Sequence, residues 1–271
     1  GGHISLSTGS GTATSSGSVV VKSVDAGSNG ASGSLAFSSG AASSGSSGAI
    51  RFNTGNANVL GRSGDIAITG GAATGNTGGD VVFSSGSSTD QTGGFVSLSA
   101  SKGTATSSGA FIVASVNAGT AGVSGYMTFK TGTTSAGTSG EMTLETGKAT
   151  AGKGGHIVLS VGSGNTLGGG DISVTAGETT ANTAQAGSVV VTGGAGTSGT
   201  AGQGGHLSYT GGAGTGGTGG FVSLASGAGT ATSTGDVRIK TPNSGANGAT
   251  GRLYFSTGNA QSGSSGSITM S

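Results

Sequence analysis

The chain has 271 residues, 64 of them glycine, and carries 10 Lys plus Arg against 9 Asp plus Glu, a net charge near +1. Its charged residues, only 7% of the total, are scattered singly. There is thus no basic stripe to track phosphates and no strong field toward an anionic membrane, and neither nucleic acid nor membrane insertion is expected. Cysteine is absent, which removes disulfides and thiolate metal sites, and no run of 18 apolar residues offers a helical bilayer span.

A composition this rich in Gly, Ser and Thr reads as disordered when it has no period. Here a period begins at once. The opening phrase Gly2-His3-Ile4-Ser5-Leu6 sets an apolar pair two and four positions after a glycine. The same arrangement returns with Val19/Val21 after Gly17, Leu35/Phe37 after Gly33 and Ile50/Phe52 after Gly48, then at intervals of 15 to 18 residues to Ile268/Met270 after Gly266. Alternation with a period of two is the mark of a strand with one apolar edge. A short fixed period is the mark of stacked identical units.

In the common form a phrase closes on a second glycine, such as Gly9, Gly40, Gly55, Gly71, Gly86, Gly132, Gly147 or Gly162, and continues through a stretch like AASSGSS, AATGNTG or TTSAGTS. Glycine at a corner supplies positive φ. Two corners per repeat predict a flattened coil with one strong and one weak strand, stacked on its neighbours at about 4.8 Å per coil. The expected fold is all-β: a single flattened β-solenoid (parallel β-helix or β-roll) of 17 to 18 coils, mostly 15 to 16 residues each, continuous over residues 1–271. In that fold Phe37, Phe52, Phe83, Phe129, Leu144 and Leu159 point inward.

A longer repeat is superposed. GTATSSG at 11–17 recurs at 103–109 and, as GTATSTG, at 229–235. These blocks carry aromatics at outward positions, Phe95 and Tyr126 in one and Phe221 and Tyr254 in another, which are the candidates for lateral contact. Strand phrases stand at both ends without a cap. This predicts a segment of a longer polypeptide or a subunit stacking end to end, with His3, Ile4 and Leu6 meeting Ile268 and Met270 as longitudinal contacts.

Candidate chemistry is sparse. His3, His156 and His206 each follow an anchor glycine many coils apart, too far to share a metal. Asp65 and Asp80 occupy equivalent positions on adjacent coils but lack companions that would complete a ligand set. Matches to GxGxxG such as 212–217 carry no weight in a chain with this much glycine. Catalytic residues, metal ligands and cofactors are therefore all expected to be absent, and the chain is not expected to be an enzyme. Lys130 with Glu145, Asp236 with Arg252, and the run Glu141, His156, Asp171 are expected to fix the register of stacked coils.

The pattern resembles the Gly/Ser/Thr-rich β-solenoid regions of extracellular fibres and surface adhesins, and the resemblance runs over the whole chain. It implies a structural subunit of an extracellular or cell-surface filament or stalk, with other copies of itself as partners. O-glycans on Ser or Thr are compatible with this, and no NxS or NxT sequon occurs. The alternative is a surface-binding solenoid, for ice or polysaccharide, presenting Thr12, Ser43, Thr74, Thr89, Ser135, Thr150, Thr180, Thr197, Thr215 and Thr230 as a hydroxyl array.

Overall fold

The computed structural model describes residues 2–12, 15–58, 61–105, 107–120, 122–166, 168–198 and 202–270. Among them there is neither helix nor strand, and the β-solenoid expected from the period is overturned. The chain divides into two units, Gly1–Gly132 and Thr133–Ser271. Both are built by one local rule.

In the first unit the N–H groups of Gly17, Gly79 and Gly94 donate to the carbonyls of Gly9, Gly71 and Gly86 at 3.4, 2.9 and 2.9 Å, and Gly109 donates to Ser101 at 2.9 Å. In the second, Gly187, Gly205, Gly220 and Gly235 donate to Gly177, Gly194, Gly212 and Gly227 at 2.9, 2.8, 2.8 and 3.0 Å. Each bond ties the glycine that opens one phrase to the residue that closed the phrase before it. The chain thus alternates arms, which carry the apolar pairs, with loops rich in Gly, Ser, Thr and Ala, eight of which these bonds close.

The loops reverse the chain instead of winding it. Inside the Gly212–Gly220 neck, a Cβ on Gly214 would stand 2.6 Å from the Thr218 carbonyl carbon's neighbour, the Gly217 oxygen having the next closest approach at 2.7 Å, so the two sides of this loop face each other about Gly216. The atoms nearest a Cβ on Gly79 belong to Gly71 and Gly70, across its own neck.

Pairing stops at the neck. A dozen backbone–backbone hydrogen bonds join the described residues, where a folded chain has about one per residue. The physical reason lies in the repeat itself. Two large apolar side chains per phrase offer little burial against the entropy of ordering a glycine-rich loop. The second half of the coil, AATGNTG and its relatives, has nothing for those side chains to pack on.

No described residue is buried, and only Ala176 and Gly211 are partly sheltered. The accessible surface is 26304 Å², whereas a compact monomer of this mass would expose roughly 10,000 Å² and a fully unfolded chain roughly 36,000 Å². Phe37, Phe52, Phe83, Phe129, Leu144 and Leu159, expected inside, are all exposed because there is no inside.

The corner glycines also differ from expectation. Gly40, Gly71, Gly86, Gly132 and Gly147 have open space where a Cβ would stand and none has a positive φ. Positive φ falls within the loops, at Gly45 (102°), Gly75 (82°) and Gly137 (104°), with Gly122 and Gly263 alike. The seven-residue stretches around Gly45, Gly75 and Gly137 bend near their middles, and there the left-handed conformation is adopted.

Candidate functional site

The alternation read from the sequence survives in the arms as a difference between two sides. Side chains two and four positions after an anchor glycine, from Val19 to Ile268, are 45 to 73% exposed. Large side chains one and three positions after it, such as Phe95, Val82 and Tyr126, are 75 to 93% exposed. Neighbours on the even side shelter one another a little. Phe37 and Phe52 illustrate it, with ring centroids 6.4 Å apart in an edge-to-face contact at 84°. Near the last arm, Phe255, Ile268, Thr269 and Met270 line an open apolar hollow of about 420 Å³.

Contacts between odd positions confirm the two-sided character. The Thr143 hydroxyl donates to Glu141 at 3.1 Å, Arg238 donates to Asp236 at 2.6 Å, and Arg252 Nη1 donates to the Tyr254 hydroxyl at 3.0 Å. Each pair is separated by two residues, as side chains on one side of an extended arm must be.

Charge is segregated in the same way. Every Lys, Arg, Asp and Glu on an arm stands at an odd position: Lys22, Arg51, Asp65, Asp80, Lys130, Glu141, Glu145, Asp171, Asp236, Arg238, Lys240 and Arg252, together with the three histidines. The remaining charges lie in loops. The even rows carry apolar side chains, small residues, Thr and the single phenol of Tyr209. Sequence reasoning assigned the even residues to an interior and overlooked them as a surface. The signal that marks them as one is this segregation, in a chain with too little apolar material to enclose them.

The expected register pairs are not formed. Asp236 takes its cation from Arg238 on its own arm, and Arg252 turns to Tyr254. Asp65 accepts from Arg62 at 2.9 Å, three residues away, and not from an adjacent repeat. Among the described residues no ion pair joins Lys130 to Glu145 or links Glu141, His156 and Asp171. Local pairs prevail because a charge two or three residues away is always within reach, whereas a neighbouring repeat must first be held in place.

The longitudinal candidates His3, Ile4, Leu6, Ile268 and Met270 are exposed, as are the lateral candidates Phe95, Tyr126, Phe221 and Tyr254 on the odd side. Ser271 lies outside the described residues. The hydroxyl residues Thr12 to Thr230 sit in loops, one to a loop. No group of three His, Asp or Glu that could hold a metal occurs among the described residues, and no helix there is long and apolar enough to cross a membrane. Compared with protein-family models, with curated proteins and with solved structures, the chain matches none.

Proposed function

We propose that the protein is a structural subunit that associates with other copies of itself to form an extracellular or cell-surface filament. The observation that carries this reading is the full set of even-side apolar residues left uncovered in the single chain. An exposed apolar row of this length is an association surface, because covering it removes apolar area from water. A net charge near +1 supplies little repulsion between copies, and an identical spacing in every repeat lets one copy continue the row of another. Extracellular placement is part of the proposal and rests on the compositional resemblance to fibre and stalk proteins.

Negative-stain electron microscopy of the purified chain over a concentration series tests the reading. Filaments that appear above a threshold concentration are the expected result. Monodisperse single chains at the highest concentration reached would refute it, and thermal hysteresis in that monomeric sample would favour the surface-binding alternative.

A further inference from the structure

The even rows and the segregation of charge also specify how copies meet. We infer that two copies pack face to face through their even sides, Val81 and Phe83 among them, leaving the odd sides outward in water. This rests on the self-association reading and names the contact it uses. Three observations lead to it. The even side of the arms carries no Lys, Arg, His, Asp or Glu, its one polar ring being the neutral phenol of Tyr209, so bringing two such sides together strands no charge away from water. The odd side holds all the arms' charges and many of their Ser and Thr residues, and the ion pairs seen there are solvent-exposed, Arg238 and Asp236 having side chains 81% and 67% accessible. Packing odd sides together would desolvate them.

The area suffices as well. A Val, Leu, Ile or Phe side chain brings on the order of 80 Å² to a contact, so ten of them, from five consecutive arms, reach the roughly 800 Å² per partner of a stable interface. The second copy is favoured as the occupant because the row is the same in every repeat. A surface with two apolar positions at a fixed spacing finds its best geometric match in itself, and an isologous pair closes both rows at once.

The absence of cysteine makes the contact directly testable, since a single introduced thiol is the only one present. Val81→Cys places it on the even side, and Val82→Cys places it one residue away on the odd side. Each purified variant is alkylated with a bulky maleimide, dilute and then at a concentration where wild type associates. On association the Val81→Cys thiol should react at least tenfold more slowly. The Val82→Cys thiol should change by less than about twofold, as an outward position does. Equal protection of the two, protection of Val82→Cys alone, or protection of neither would overturn the inference. Microscopy of the same samples separates it from the filament reading. Face-paired copies without filaments uphold the contact and refute the filament, and filaments in which Val82→Cys is the protected thiol do the reverse.

Discussion

Replacing Phe83 by alanine removes one side chain from the even row, and its effect on association can be worked from the structure. Phe83 is 63% exposed in the single chain, so of the roughly 200 Å² that a phenylalanine presents, about 125 Å² remains to be covered. Alanine retains about a third of that, and the lost ~80 Å² corresponds to about 2 kcal/mol at ~25 cal/mol per Å². That is close to a thirtyfold rise in the concentration at which copies associate. The neighbouring Val82→Ala removes a side chain already 80% exposed on the odd side, and its threshold should stay within about twofold of wild type, the range of a neutral surface change. The threshold is read by pelleting and by sedimentation velocity over a dilution series. An equal shift in the two variants, or a larger one for Val82→Ala, would show that the two sides are not distinct and would refute the reasoning.

Three further outcomes concern the loops and charges. In Gly70→Ala the new methyl meets the Gly79 carbonyl oxygen, so the neck bond from Gly79 to Gly71 should open. With a net worth of about 1 kcal/mol for such a bond, the ratio of closed to open loop falls about fivefold, read as loss of the through-bond coupling between the Gly79 nitrogen and the Gly71 carbonyl carbon, which Gly71→Ala should retain. Gly75→Ala has free space but a φ of 82°, so it should weaken the same coupling through backbone strain of about 1–2 kcal/mol, whereas Gly86→Ala should leave the Gly94–Gly86 coupling intact or slightly stronger. Arg62→Ala removes an ion pair whose side chains are 84% and 70% accessible, and the association threshold should move by less than about twofold, as it should in ~1 M salt.

Which residues share a side was legible in the sequence. Val81 and Phe83 fall on one side and Val82 on the other, as the alternation requires. The loop limits were legible too, since Gly71 and Gly79 bracket the stretch that closes. What lies beside what was not legible, because the apolar pair reads the same in both directions. Reversing an arm exchanges the second position with the fourth, so winding and reversal produce one and the same period. The turning glycines were misplaced because corners were assigned where phrases end, at Gly40, Gly71 and Gly132. The central glycines of AASSGSS, AATGNTG and TTSAGTS, which are Gly45, Gly75 and Gly137, carry the positive φ. The charge pairs were misread for a related reason: equivalence by repeat, as between Asp236 and Arg252, yields to proximity along one arm, as between Asp236 and Arg238.

The central claim is that one chain buries none of its described residues and that its apolar rows become covered only when copies associate. Amide hydrogen exchange along the arms, followed from a dilute monomer to the associated state, tests it most directly. In the dilute sample, verified as monomeric by sedimentation, the amides of arms such as 80–86 and 188–193, beyond the neck donors Gly79 and Gly187, should exchange at unprotected rates, and protection should rise with the associated fraction. Arms strongly protected in the dilute monomer would contradict the account, for they would show that a single chain already holds a core.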